Sequence, residues 1–291
     1  MSIVITGANG LFGSHLVHYF SRLNWTVYPL VRRQINFPVQ TTYCNLSEFD
    51  HAFEVISQKK PTAIIHNAAN GNTNLCESDP EQAYQSNVIT TQVMCQVARE
   101  LNIPLIFIST DLVFDGRKGN YLETDAPNPQ HVYGHTKLKA EQRVSLLDQH
   151  YIFRTALLVG RSITGTNGYL DHFIQKNRER SPFYAFVDEY RSAITCQIAA
   201  FCIERTISKR PPSGIYNLAS DEILNRHEIA LKLCNYYKLN EQLIQQSRLE
   251  EYSGLAPRQA NVSLNNQKLK KALNLNKIDG ILSLTDVIPF K

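Results

Sequence analysis

Tyr133 and Lys137 stand four residues apart in the segment Tyr133-Gly134-His135-Thr136-Lys137. On a helix that spacing puts a phenol and an ammonium on one face. An ammonium beside a phenol favours the phenolate, so it lowers a pKa that is ordinarily about 10. A phenol tuned in this way donates a proton usably near neutral pH. Upstream, residues 105–108 read as an apolar strand that ends in the hydroxyls of Ser109 and Thr110. A hydroxyl at such a strand end is placed to hold a substrate oxygen beside the phenol. Alone, Tyr-x-x-x-Lys occurs on many helices by chance, so its meaning depends on the elements around it.

Those elements begin at the N-terminus. Residues 2–6 form a short β-branched strand that runs into Gly7-Ala8-Asn9-Gly10-Leu11-Phe12-Gly13, followed by a helical pattern with Leu16, Val17 and Phe20 apolar. Strand, glycine turn and helix together make a dinucleotide site: the glycines let backbone approach a pyrophosphate, and the helix start offers free N–H groups. A second strand, 26–31, ends at Arg32 and Arg33, where an acidic residue would hold the ribose of NAD. Guanidinium groups there suit a 2′-phosphate, which favours NADP(H) and leaves NAD(H) as the alternative.

A short third strand, 43–46, brings Asn45 and Leu46 to the cofactor side, and a helix over 47–58 starts at Ser47. The fourth strand, 63–66, leads to Asn67-Ala68-Ala69, small enough for a cofactor to lie close. A long helix over 81–101 carries Asn87, an unfavourable mid-helix residue with either a hydrogen-bonding role or a solvated position. The fifth strand, 104–108, enters the Thr110 segment. The loop 116–130 reads as substrate-side, the helix 132–147 carries Tyr133 and Lys137, and a sixth strand spans 151–159. Six alternations of strand and helix require a parallel, doubly wound α/β sheet. Residues 1–159 are therefore expected to bind the dinucleotide, and 160–291 to form a smaller substrate lobe with elements returning to the main domain.

Composition narrows the function. The 291 residues carry a net charge of +4 with Lys and Arg scattered, so no basic stripe for nucleic acid is present. No apolar run approaches the ~20 residues of a membrane span, and the chain enters a strand at once, without the pattern of a signal peptide. The six cysteines are dispersed without a C-x-x-C, as expected of reduced thiols in a cytoplasmic protein. The nine histidines show no metal-ligand spacing, and no metal is expected. A homodimer is compatible with all of this.

The chain resembles the extended short-chain dehydrogenase/reductases, and within them the dTDP-4-dehydrorhamnose reductase-like branch of sugar-nucleotide reductases. The resemblance is carried by Thr6-Gly7 through Gly13, His66-Asn67-Ala68-Ala69, Cys76-Glu77-Ser78-Asp79-Pro80 leading to Asn87, Ser109-Thr110-Asp111-Leu112-Val113-Phe114-Asp115-Gly116, Val132 to Lys137 with Glu141, Gly214 to Ala219, and Pro257 to Leu264. It covers nearly the whole length and implies a Rossmann domain. It also implies the following roles. Thr110 orients a ketone, Tyr133 gives it a proton, and Lys137 holds the nicotinamide ribose and lowers the tyrosine pKa. Gly7, Gly10 and Gly13, with Asn9, Leu11 and Phe12, lie at the pyrophosphate. Asn67, Ala68, Ala69 and Asn87 lie along the cofactor, and Arg32 or Arg33 meets the 2′-phosphate. Asp111, Leu112, Val113 and Arg258 face the substrate, a nucleotide-linked 4-keto-6-deoxyhexose.

Two departures fall on the expected sugar side. Leu112 replaces the tyrosine usual after Ser-Thr-Asp, and Thr155-Ala156-Leu157 stand after Arg154 where a tryptophan is usual. Two alternatives stay open: a non-catalytic NADP-binding regulatory subunit of a partner enzyme, and a nucleotide-sugar epimerase. Dehydration is the weaker option, because no glutamate follows Asp111.

Overall fold

The computed structural model describes residues 1–32, 39–165 and 168–281. Its centre is a seven-stranded parallel sheet. In chain order the strands are β1 (Ser2–Thr6), β2 (Thr26–Val31), β3 (Thr42–Tyr43), β4 (Ala63–His66), β5 (Leu105–Thr110) and β6 (His150–Thr155). The seventh, Gly214–Leu218, comes from the C-terminal half and pairs with β6. The spatial order is Gly214–Leu218, β6, β5, β4, β1, β2, β3. The order reverses between β1 and β4, the crevice where doubly wound sheets bind ligands at strand C-termini.

Buried parallel strands read as continuous apolar runs whose alternate residues serve opposite faces. Ile3 and Ile5 of β1, Ile106 and Ile108 of β5, and Tyr151 and Phe153 of β6 pack on one face with Phe20, Ala199 and Leu269. Val4, Leu105, Phe107 and Ile152 pack on the other with Ala52, Met94 and Val144. The helices covering that second face are α1's counterparts across the sheet: α2 (Phe49–Ser57), α5 (Thr90–Glu100) and α6 (Val132–Val144), while α1 (Leu11–Arg22) lies on the first. All six cysteines are buried and free, packing as small apolar groups.

Local boundaries differ from the sequence expectation for identifiable reasons. The helix expected from Ser47 starts at Phe49, because Asn45 folds back in a side-chain turn to Ser47 N (3.1 Å). The helix expected over 81–101 is preceded by a separate turn, α3 (Thr73–Ser78), and begins at α4 (Pro80–Tyr84), where Asp79 caps Gln82 N. It then passes through a π-helical stretch, Gln85–Ile89, that contains Asn87. The expected sixth strand splits: β6 ends at Thr155, and Leu158–Val159 pairs instead with Ile194–Thr195.

Beyond residue 160, helices Tyr169–Arg178 and Arg226–Tyr237 pack on the parallel pair Phe183–Phe186 and Ile244–Ser247 around their own apolar cluster. Asn225 and Glu228 form a reciprocal capping box at the second of these helices.

Candidate active site

The site is assembled where β5 ends. Thr110 leaves the strand extended and its hydroxyl accepts from Leu112 N (3.2 Å), turning the chain into a short 3₁₀ segment, Asp111–Val113. Helix α6 must come against this turn for Tyr133 to reach Thr110. Gly134 permits it: a Cβ there would lie 2.4 Å from Leu112 O and 2.8 Å from Pro129 Cβ. The N-terminus of α6 is capped twice. His131 Nδ1 accepts from Gly134 N (3.0 Å), and Glu77 Oε1 accepts from Val132 N (2.6 Å). Farther along α6, Glu141 is fully enclosed. It takes three hydrogen bonds from the Arg154 guanidinium, the shortest at 2.8 Å, and one from Ser109 Oγ at 2.5 Å. That cluster ties α6 to the ends of β5 and β6.

Tyr133 and Lys137 share one face as expected, and Thr110 and Tyr133 line the same cleft. The expected lowering of the tyrosine pKa is not found, and this is a correction. Surrounding protein pushes the Tyr133 phenol above its ordinary value, and the Asp111 carboxylate pushes it further; the Thr110 hydrogen bond opposes them only in part. Lys137 is not among the groups that move the phenol, and it is itself desolvated. Burial draws its ammonium down to about 7, against the pull of Glu141. The ammonium sits 4.0 Å from the centroid of the Phe107 ring.

Asp111 and Leu112 line a cleft of about 390 Å³ together with Thr110, Tyr133 and His131. Thr155, Ala156 and Leu157, the stretch that lacks the usual tryptophan, line it too. Val113 does not: it is completely buried with Phe114 and Tyr121 in a separate apolar cluster, so the expectation that it faces substrate is overturned. The loop 116–130 is also corrected. It is knitted to itself by Lys118–Asp125 and Tyr121–Asp115 bonds and held to Asn217 through Glu123, and none of its residues lines the cleft.

The far wall is charged. Glu189, 1% exposed, meets Arg258 Nε at 2.7 Å, Arg191 Nη2 at 3.1 Å and Arg226 Nε at 3.7 Å. Burial alone would raise its pKa; the three guanidinium groups overcome that and hold it at about 2. Asp111, by contrast, is lifted to about 6 by burial, with Arg191 opposing from 3.9 Å. Three cations around one firmly ionised carboxylate leave an excess positive charge facing the cleft. Arg226 and Arg258 also line a neighbouring pocket of about 330 Å³ walled by Tyr169, Phe183, Tyr184 and Phe186. Arg258 was expected from the sequence; Glu189, Arg191, Arg226 and His131 were not. Glu189 and Arg191 alternate within Asp188-Glu189-Tyr190-Arg191, a spacing that puts both on one side of an extended segment.

At the other end of the site, the glycine turn passes from β1 into α1. A Cβ on Gly13 would fall 2.1 Å from Gly7 O, so only glycine allows the helix this close to the turn. Gly10 occupies the N-cap position without a side-chain cap, and no acidic residue stands in the first turn. The first N–H groups and positive dipole end are thus left to a bound anion. Phe12 turns into the core, leaving its backbone for any contact there, and Leu11 is half-buried. Asn9 O accepts from Thr164 Oγ1 (2.6 Å). Asn67 Nδ2 reaches Gly7 O at 3.3 Å; Ala68 is half-buried and Ala69 exposed beside it. Asn45 bonds Glu48 and Leu46 packs against the core. Arg32 is exposed at the end of β2, and Arg33 lies outside the described residues. Asn87 is not solvated: it is fully buried, exchanges bonds with Asn70 N (2.7 Å) and O (3.2 Å), and donates to Thr136 Oγ1 (3.0 Å). It pins the loop after β4 to α6.

A directed hydrogen-bond chain underlies this loop. Thr6 Oγ1 accepts from Asn67 N and Ala68 N, so its own hydrogen goes to His66 Nδ1 (2.8 Å). His66 Nε2 then donates to Thr91 Oγ1 (3.1 Å), which donates to Asn87 O (2.7 Å). Burial, aided by the Lys137 charge, lowers the His66 pKa to about 3. Below pH 6.5 the unfolded chain takes up a proton that the folded one refuses. Stability from this site is therefore complete above pH 6.5 and is lost as pH falls toward 3. At pH 5 we expect the wild type to be about 2 kcal/mol less stable than at pH 7.5 on this account, and His66→Gln to lack that increment. Urea unfolding of both proteins at the two pH values measures it; parallel pH dependences would rule it out.

A family model described as the RmlD substrate binding domain matches residues 1–285. A methionine adenosyltransferase 2 subunit beta from Xenopus tropicalis is 27% identical over 292 residues, covering 92% of this chain and 81% of that protein. The dTDP-4-dehydrorhamnose reductase of Escherichia coli (strain K12) is 28% identical over 229 residues, 76% of this chain and 73% of that one. Among solved structures, the Bacillus anthracis dTDP-4-dehydrorhamnose reductase in complex with NADP superposes with a TM-score of 0.86 at 23% identity, covering 96% and 95% of the two chains.

Proposed function

The chain belongs to the RmlD substrate binding domain family, and from that premise we propose that it is an NADPH-dependent reductase of a nucleotide-linked 4-keto-6-deoxyhexose. The observation that carries the reading is the meeting of Thr110 and Tyr133, with Lys137 buried one helical turn behind the tyrosine, in a cleft that the Arg191–Arg226–Arg258 cluster also lines. A ketosugar fits between them. Its carbonyl lies at the hydroxyl pair, and its diphosphate lies where Arg226 and Arg258 join the two pockets. The aromatic walls of the second pocket suit a base.

The residues at the dinucleotide end fit the cofactor. The uncapped start of α1 takes the pyrophosphate, Arg32 the 2′-phosphate, and Lys137, whose ammonium has no hydrogen-bond partner among the described residues, the nicotinamide ribose. Bound NADPH supplies the hydride. The protein's part is positioning and proton delivery. Thr110 donates a hydrogen bond to the ketone oxygen. Tyr133, held protonated by its surroundings, transfers its proton to that oxygen and is restored from solvent. Residues 1–159 are read as the dinucleotide domain and 160–291 as the substrate lobe, in a cytoplasmic protein that is free to form a homodimer. No helix among the described residues is long and apolar enough to cross a membrane.

Consumption of NADPH by the purified protein against a panel of nucleotide-linked 4-keto-6-deoxyhexoses tests the reading. Turnover of one of them is the expected result. NADPH binding without turnover of any, together with a stable complex with an unrelated enzyme, would instead favour a regulatory subunit; the Xenopus relative is named as a subunit of an enzyme.

A further inference from the structure

Besides Glu189 Oε1, which lies 3.1 Å from Arg191 Nη2, four buried polar atoms of residues that line the substrate cleft have no hydrogen-bond partner among the described residues: Asp111 Oδ2, His131 Nε2, Arg191 Nη1 and Gln259 Nε2. Their residues are all at least nine-tenths buried, at 4%, 4%, 6% and 3% exposure. Unpaired buried groups of this kind are costly and mark a place where a ligand completes them.

His131 is the informative one, because its proton can be placed. Nδ1 accepts the Gly134 N–H, so in the neutral ring the hydrogen is on Nε2. Burial keeps the ring neutral by lowering its pKa, against the nearby Glu77 charge, which favours the proton, and with the His135 and Arg191 charges assisting. The side chain therefore has two ends with two tasks: one caps α6, and the other offers a donor to the cleft. Asp111 Oδ2 offers the complementary acceptor; its ion-pair partner Arg191 Nε is 3.9 Å away, too far for a hydrogen bond. A donor and an acceptor left open together are satisfied by a hydroxyl, which does both, whereas a ketone or a carboxylate would leave Asp111 unpaired.

Position along the sugar follows from the chain. Asp111 adjoins Thr110 and accepts its hydroxyl hydrogen at 3.2 Å. His131 lies two residues before Tyr133, with ring centroids 6.1 Å apart. Thr110 and Tyr133 converge on the carbonyl oxygen, so their neighbours reach the next oxygen along. We propose that His131 is a sugar-binding, specificity-determining residue: its Nε2–H donates to the hydroxyl on the carbon adjacent to the reacting carbonyl, while Asp111 Oδ2 accepts from that same hydroxyl. The assignment rests on the ketosugar reading above.

The test uses His131→Asn. Asparagine is an effective N-cap, so the helix start is kept, but its shorter side chain cannot also reach the cleft. Wild type and variant are compared on dTDP-4-dehydrorhamnose and on its 3-deoxy analogue, with thermal unfolding and NADPH affinity as controls. The expected result is a loss in kcat/KM of roughly 10- to 100-fold on the hydroxylated sugar, expressed mainly in KM. On the 3-deoxy analogue the two proteins should be equal, with unfolding temperature and NADPH affinity unchanged. Equal activity on the hydroxylated sugar would overturn the assignment while leaving the reductase standing. So would an equal loss on both sugars, which would confine His131 to the helix cap. A wild type that neither binds nor reduces either sugar would remove the ketosugar reading, and this assignment with it.

Discussion

Replacing Tyr133 by phenylalanine is expected to cut turnover by roughly 10²- to 10⁴-fold while leaving NADPH binding and unfolding temperature as in the wild type. The phenol is placed to reach the substrate oxygen, because Tyr133 lines the cleft together with Thr110. Phenylalanine keeps the ring and its packing and removes only the hydroxyl. No neighbouring group takes over easily. The Thr110 hydroxyl is a far weaker acid, and the Asp111 carboxyl, at about 6, is mostly ionised at neutral pH. Steady-state kinetics with a turned-over ketosugar, beside a cofactor titration, gives the answer. A variant that retained wild-type turnover would dismiss Tyr133 as the proton donor, and a variant that lost NADPH binding would make its role structural.

The second large effect is on stability. Arg154 is 2% exposed and fills the space between Glu141 and the Phe114 ring, its guanidinium carbon 5.0 Å from the ring centroid. Arg154→Leu removes the ion-pair partner of Glu141 and leaves it enclosed with only the Ser109 hydrogen bond and the more distant, partly neutralised Lys137. Breaking one side of a buried ion pair costs about 3–5 kcal/mol, and we expect that loss in urea unfolding. The double variant Arg154→Leu, Glu141→Leu should recover much of it, because the stranded charge is then gone. A single variant within about 1 kcal/mol of wild type would mean that water or local movement solvates Glu141. The pair matters to the site as well. Glu141 sustains the Lys137 charge and fastens α6, which carries Tyr133, to the ends of β5 and β6.

Local patterns pointed to Thr110, Tyr133 and Lys137, the glycine turn and the alternation of strands and helices. Each depends on residues close together in the chain: a spacing of four puts Tyr133 and Lys137 on one helix face, and a spacing of six puts Gly7 and Gly13 at one turn. Continuous β-branched and apolar runs are enough to call buried parallel strands, and the central sheet follows from their number and order. The Arg258 expectation came from a motif rather than from any local rule.

The electrostatics of the site belong to tertiary packing. Spacing along the helix puts the Lys137 ammonium beside Tyr133, whereas burial draws that ammonium down to about 7 against the pull of Glu141 and is the larger force on both groups. Burial is a property of the assembled layers, and a pKa follows burial as much as it follows sequence neighbours. The arginine wall shows the same limit, because Glu189, Arg191, Arg226 and Arg258 come from three separate segments and become one cluster only when the loop around Arg258 pairs with the strand after Glu189. Val113 and His131 were invisible for a similar reason. The tight turn that sets Leu112 into the cleft sends Val113 into the core, and the helix cap that occupies one nitrogen of His131 turns the other toward the substrate. A chain's short-range chemistry is written in its order of residues; which of those groups lose their water, and which distant charges they meet, is settled by how the layers close over them.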